Sequence, residues 1–272
     1  MTFLLLAASL LSATYHFGPT TKIDYDANIK FDGFVPVMGG MTGNVEVKLG
    51  VSVNGLEPDT EGNARASSEL TSFKLLLNGA LFPMFRLDNV VEYLPKTTVS
   101  MTPQGKVLKT DAPDVPLPVS LPLLDAKRFP DITYLPIEFP VAGIEVGKEW
   151  TFTKKFGSSD VSYAVKPTKL EDDKVTLEIK LKQTIDALED EALVIVKEES
   201  AAISKVHTQI DSSGTGTFDL KLGAFLVTEM KASSVSKVTD IKTSESKERK
   251  LTILLSLKLR TPPKVLLWNH LN

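Results

Sequence analysis

The chain has 272 residues, 42% of them hydrophobic and 24% charged, with a formal net charge of −3 and no cysteine. This is apolar material for one large domain or two ordinary ones, and it excludes wholesale disorder. The lack of cysteine excludes disulfide staples, thiolate zinc sites and thiol nucleophiles, and the mild acidity argues against a general nucleic-acid binder. Three histidines, His16, His207 and His270, leave little room for a histidine-rich centre, so neither a metal nor a cofactor is expected.

The first 13 residues contain an uncharged, apolar or small run of 11, Phe3 to Ala13. That length suits the hydrophobic region of a secretory signal, about 7–15 residues, and falls short of the roughly 20 needed to cross a bilayer. Segment 1–13 is therefore expected to direct export, and no stable membrane span is expected. No Lys or Arg precedes the run, and cleavage after Ala13 would place Leu11 where a small residue is preferred, so a buried N-terminal strand or helix stands as the alternative reading. An exported protein of this size without disulfides suits the bacterial periplasm or exterior better than an animal extracellular setting.

Further along, strict alternation dominates. Val45, Val47, Leu49, Val51 and Val53 alternate with residues such as Glu46, Lys48 and Ser52; Val175, Leu177, Ile179 and Leu181 alternate with Thr176, Glu178 and Lys180. Phe218, Leu220 and Leu222, and then Leu251 to Leu259, repeat the pattern. A period of two sends alternate side chains to opposite faces of a sheet, which predicts half-buried antiparallel strands. Asn54-Gly55, Glu61-Gly62-Asn63, Pro103-Gln104-Gly105 and Leu222-Gly223 read as the intervening turns.

Seven of the sixteen prolines lie from Pro113 to Pro140, and proline cannot donate to a strand ladder. The expected organisation is mainly β, with two related antiparallel β-rich lobes of curved sheet at 14–112 and 141–260. A Pro-rich connector at 113–140 joins them and a tail follows at 261–272; one continuous sheet with a proline-lined edge is the alternative. Ile185, Leu188, Ala192, Ile195, Ile203 and Val206 recur at steps of three or four, with acids early and lysines late. This predicts a helix near 186–206 packed on the second lobe. Seven basic residues against two acids from Lys242 to Lys264 read as a solvated final strand whose lysines guard a sheet edge.

No catalytic constellation emerges. A Ser-His-Asp arrangement would have to use His207, and no Gly-x-Ser-x-Gly elbow presents a serine. The acids at 171–173 and 189–191 lack the alternating ligands and central Gly of a calcium loop. Gly39-Gly40-Met41-Thr42-Gly43 precedes a strand rather than a helix and lacks the lysine of a phosphate cradle. What remains is apolar. Phe31, Phe34, Met38, Phe82, Met84 and Phe85 are the residues expected to line the mouth of an apolar site, since Phe and Met suit soft ligands; closing a core is the competing role for them.

Val146-Gly147-Lys148-Glu149-Trp150 opens the second half, and Gly214-Thr215-Gly216-Thr217-Phe218 leads into the hairpin at Gly223. This pairing resembles uncharacterised bacterial exported β-rich proteins with a Val-Gly-x-x-Trp step and a Gly-x-Gly-x-Phe hairpin. The resemblance implies an exported, non-enzymatic protein and supplies no catalytic residues. At the level of fold alone, the curved sheets look like those of periplasmic lipoprotein carriers. The expected function is a soluble binding protein holding an apolar small molecule or a partner segment on a curved sheet. The alternative is a structural or interaction module of a cell-envelope assembly, pairing through exposed strand edges.

Overall fold

The computed structural model describes residues 11–35, 40–82, 87–91, 96–112, 137–156, 159–193 and 195–261. Thirteen strands form one antiparallel sheet. They are β1 (Lys22–Val35), β2 (Met41–Leu56), β3 (Ala64–Leu77), β4 (Ala80–Leu81), β5 (Thr97–Met101), β6 (Val107–Asp111), β7 (Trp150–Phe156), β8 (Ser159–Glu171), β9 (Lys174–Glu189), β10 (Ile195–Val196), β11 (Ser204–Asp219), β12 (Ala224–Asp240) and β13 (Ser246–Thr261). The ladder runs β6-β5-β3-β2-β1-β13-β12-β11-β9-β8-β7, with β4 on β3 and β10 on β9. A four-residue helix, Leu87–Val90, and a single 3-10 turn, Glu199–Ala201, are the helical elements among the described residues.

Alternation decides which face is which. Ile23, Tyr25, Ala27, Ile29 and Phe31 of β1 lie opposite Val53, Val51, Leu49, Val47 and Val45 of β2. On the other side Tyr25 to Gly33 lie opposite Leu259, Leu257, Leu255, Ile253 and Leu251 of β13. Directly opposed residues in an antiparallel pair share a face, so one face is apolar across these strands, and Val175, Leu177, Ile179, Val161, Tyr163 and Val165 continue it through β9 and β8. The reverse face carries Lys30, Glu46, Lys48, Lys258, Lys231, Thr215, Glu178 and Lys166. Strands β2, β9, β11, β12 and β13 have 16 or 17 residues and so extend about 50 Å at about 3.3 Å per residue.

Several expectations are corrected by this architecture. The helix near 186–206 is absent: β9 continues to Glu189, a turn follows at 190–193, and β10, the 3-10 turn and β11 occupy the remainder. The apparent helical spacing joins residues of two antiparallel strands, Val206 of β11 lying opposite Ala187 of β9. The final strand is not an edge, because β13 pairs with both β1 and β12. It connects the strands of the first half to those of the second, so both proposed lobes draw on the same sheet. Asn54-Gly55 is no turn either; both lie inside β2, and the chain reverses at 57–63. Leu220 and Leu222 belong to the reversal at 220–223 and still pack on the core. The turns at Gly62, Gly105 and Gly223 stand where the sequence places them, each with positive φ. Residues 113–136 and 262–272, holding most of the proline-rich connector and the tail, lie outside the described residues.

Gly55 is required for a different reason. The N-terminal segment passes over β2 there, and the Gly55 N–H donates to the Thr21 carbonyl at 2.8 Å. A Cβ at this position would lie 1.9 Å from the Gly18 carbonyl oxygen. Gly55→Val therefore lifts this segment and is expected to cost about 2–3 kcal/mol, as overpacking does, measured as a lowered urea midpoint.

The reversal between β2 and β3 is organised by Asp59. Its Oδ1 accepts the backbone N–H groups of Glu61 at 3.0 Å and Asn63 at 2.9 Å, its Oδ2 accepts the Asn63 amide at 3.0 Å, and the Ser100 hydroxyl of β5 donates to Oδ2 at 2.8 Å. The Asn63 side-chain amide, then its backbone N–H, lower this carboxyl to about 2. A pKa depressed on folding gives a contribution that is complete above about pH 4, the ordinary range for Asp, and is lost as pH falls through about 2. In an NMR titration Asp59 is expected to protonate near 2, and Asn63→Ala to move that midpoint upward.

Candidate functional site: the apolar face of the curled sheet

The apolar face has two differently built ends. At one, aromatic rings gather from five parts of the chain. Tyr15 and Phe17 come from the N-terminal segment, Phe139 from the segment before β7, Trp150 from β7, Phe218 from β11 and Phe225 from β12. Phe139 and Phe218 have ring centroids 4.8 Å apart, Tyr15 and Phe218 5.3 Å, and Phe218 and Phe225 5.2 Å. The polar tips are satisfied: Tyr15 donates to the Ile137 carbonyl at 3.1 Å and Trp150 Nε1 to the Glu138 carbonyl at 2.9 Å. Tyr25 donates to the Phe225 carbonyl at 3.0 Å, and burial pushes its phenol well above the ordinary tyrosine range. Backbone bonds from Tyr15 to Pro103 and from Phe139 to Gln104 tie the β5–β6 turn to the same cluster. Strands far apart along the ladder thus meet at one end, which requires the sheet to curl around its apolar face.

At the other end polar residues are interspersed with the inward-facing Ile185, Val206, Ile210 and Val238. Reading toward that end, β11 presents Ser212, Thr208 and Ser204; β12 presents Ser234 and Ser236; β9 presents Gln183 and Glu189; β13 presents Arg249. The last two meet: Arg249 Nη1 donates to both Glu189 carboxylate oxygens at 2.8 and 2.7 Å, with side chains 10% and 5% exposed. Arg249 lies in register with Ser236, Thr208 and Ile185, three strands from β9, and Glu189 is four residues beyond Ile185. In a flat sheet this would separate them by about 14 Å across and about 13 Å along the strands. Their contact is therefore a second mark of curling. Its cap is Phe34, whose ring lies 4.5 Å from the Arg249 guanidinium. Gly33, with φ of 126°, is the last β1 residue paired to β13, and its Cβ would lie 2.3 Å from the Lys250 carbonyl oxygen. Only glycine adopts this conformation readily, and it allows β1 to leave β13 and carry Phe34 onto Arg249.

The expected lining residues separate accordingly. Phe31, 2% exposed, is packed in the core; Phe34 is half-buried against Arg249; Phe82 is half-buried beyond β4, its N–H donating to the Leu75 carbonyl at 2.8 Å. Met38, Met84 and Phe85 lie outside the described residues. Glu189, Arg249 and Gln183 went unrecognised as inward residues. The one available signal was the failure of alternation itself, polar residues occupying positions that period two assigns to the core.

His207 lies on the solvated face, its Nδ1 2.7 Å from Asp186 Oδ1, directly across on β9. His16 is bound to the Lys221 carbonyl and the Thr14 hydroxyl. Among the described residues no three metal-ligating side chains converge, and no helix is long and apolar enough to cross a membrane. The outer face carries a broad, open depression of about 510 Å³ lined by residues including Asn28, Lys30, Thr215, Glu229, Lys231 and Leu254. Its basic groups sit beside acids, Lys30 lying 3.5 Å from Glu46.

The sequence matches no described protein family and no curated protein. Among solved structures, the fold is similar to that of lipovitellin, in a structure concerned with its lipid–protein interactions. The TM-score is 0.51 at 10% identity, over 90% of this chain and 26% of that one. The chain thus spans about a quarter of lipovitellin, and the likeness is one of fold. DynF, from the dynemicin biosynthesis pathway of Micromonospora chersina, overlaps 93% of this chain at 10% identity with a TM-score of only 0.22. The class defined by these observations is a mainly β protein built on one wide, curved antiparallel sheet with an apolar face.

Removing Arg249 alone strands a buried carboxylate. Arg249→Met is expected to cost about 3–5 kcal/mol, and the double variant Glu189→Met/Arg249→Met to recover most of that loss, measured by chemical denaturation.

Proposed function

We propose that this protein is an exported, non-enzymatic binding protein of the bacterial periplasm or exterior that holds an apolar ligand between the walls of its curled sheet. The observation that carries the reading is the apolar face itself. It continues from β3 to β8 with no second sheet or long helix laid over it among the described residues, so the sheet encloses its own apolar interior. Such an interior can exchange a packed side-chain contact for a ligand contact without opening a second layer. The fold likeness to lipovitellin adds support, since that structure concerns lipid–protein interactions, and the uncharged run Phe3–Ala13 supports export. His207 and its partner Asp186 lie on the solvated face, away from the interior.

A second reading, an envelope interaction module, is favoured by β7, which pairs only with β8 among the described residues. A free strand side can accept a partner strand. Loss of a co-purifying partner on Thr153→Pro, with the fold intact, would support that role.

The test of the carrier reading is purification of the full chain without detergent, followed by native mass spectrometry and titration with N-phenyl-1-naphthylamine. Co-purified lipid, or saturable blue-shifted probe fluorescence, is expected. Neither adduct nor probe uptake would overturn it.

A further inference from the structure

The N-terminal segment is constructed like a strand of the fold. Period two sets in at Leu11: Ala13, Tyr15 and Phe17 are buried, Leu11 packs on the same core, and Ser12 and His16 face water. Leu11 and Ile144 exchange both of their backbone hydrogen bonds, at 2.9 and 2.8 Å, and Ile144 is itself 2% exposed. Further along, the Tyr15 N–H donates to the Pro103 carbonyl at 2.7 Å and the His16 N–H to the Gly223 carbonyl at 3.3 Å. Glycines make room for the segment. A Cβ on Gly105 would lie 2.3 Å from the Tyr15 ring, and one on Gly223 would lie 2.4 Å from the His16 nitrogen. Cutting the chain after Ala13 would strip Ile144 of both backbone partners and set a charged α-ammonium on Thr14, beside the buried Tyr15. Buried backbone groups without partners and charges against a core are both costly.

We propose that the export signal ends upstream of this strand, with the chain cut between Ser9 and Leu10, so that the mature protein keeps Leu11–Phe17. The proposal rests on the export reading above and adds where the signal stops. A signal peptidase hydrolyses the Ser9–Leu10 amide, one water adding to leave a carboxylate on Ser9 and an α-ammonium on Leu10. Signal removal selects small residues at the last position before the cut and two positions earlier. Ala7 and Ser9 are the one such pair in the first 13 residues, whereas a cut after Ala13 would place Leu11 at the earlier position. The uncharged stretch left ahead of the cut, Phe3–Ser9, is at the short limit of a signal core of roughly 7–15 residues. Two independent observations thus agree: the small pair ends at Ser9, and pairing with the fold begins at Leu11.

The experiment expresses the full chain in a bacterial host with a periplasm and reads the periplasmic fraction by intact mass and N-terminal peptide analysis. The expected product begins at Leu10. Ser9→Leu, which removes the small residue before the cut, is expected to abolish that product. A periplasmic product beginning at Thr14 or anywhere else, an uncut chain in the periplasm, or unchanged processing of Ser9→Leu would overturn the cut while export stands. A chain confined to the cytoplasm at full mass would overturn the export reading, and the cut with it. The structural basis is tested apart from processing, in purified chains beginning at Leu10 and at Thr14. The first is expected to keep the urea midpoint of the full chain. The second is expected to unfold at lower urea or fail to fold, with faster amide exchange at Ile144 wherever it folds. Equal midpoints and equal Ile144 protection in the two chains would overturn the claim that the fold needs Leu11–Ala13.

Discussion

A sheet this wide with one apolar face must cover that face or expose it to water, and everything else in the fold follows from how it is covered. At roughly 25 cal/mol per Å² the exposed alternative is prohibitive for so many Val, Leu, Ile and Phe side chains. With no second layer among the described residues, the sheet bends on itself. The aromatic cluster of Tyr15, Phe139, Phe218 and Phe225 fixes the bend at one end. It recruits rings from strand, hairpin and connecting segment, and the Tyr15, His16 and Phe139 N–H groups drawn in with them donate to the Pro103, Gly223 and Gln104 carbonyls. Large rings suit this task because a few of them fill the space where strands of different direction converge.

The opposite end solves the same problem with different chemistry. Glu189 and Arg249 join β9 to β13 across two intervening strands, and Phe34 covers them. A buried ion pair contributes little net stability compared with an apolar pair of equal shape. Its value here is directional: two hydrogen bonds from Arg249 Nη1 and the Phe34 ring against the guanidinium define how the ends of β1, β9 and β13 meet. Inward hydroxyls on β11 and β12 stand between apolar Ile210, Val206 and Val238, so this end mixes polar and apolar residues where the other is aromatic.

The central position of β13 unifies the molecule. Its Leu251, Ile253, Leu255, Leu257 and Leu259 face the same interior as Tyr25, Ala27, Ile29 and Phe31 of β1, and its outer positions include Thr252, Ser256 and Lys258, so a strand rich in basic residues looks like a protected edge when read alone. Two-sided pairing is a property of the neighbours, which local pattern does not encode. Mixed polarity on part of the inward face explains the other misreading. Where the inward residues are Val, Leu and Ile, as in β2 and the first half of β9, period two is plain. Where they are Gln183, Glu189, Thr208, Ser212 and Gly214, it vanishes, and chance spacing at 185–206 imitates a helix.

The sequence alone determined the class of structure, antiparallel strands with one apolar face, because period-two alternation is a local property of the chain and a large set of apolar side chains can be buried on only one side. It also located the turns at Gly62, Gly105 and Gly223, since positive φ is a demand on single residues. Only the tertiary structure decided that β1 and β13, more than two hundred residues apart, pair to make one sheet. It likewise decided that Asn54-Gly55 lies under a crossing segment and that Glu189, Arg249 and Gln183 face inward. Those outcomes depend on curvature and on long-range register, which come from the joint burial of distant residues; the break in alternation marks the polar positions but does not say what they meet.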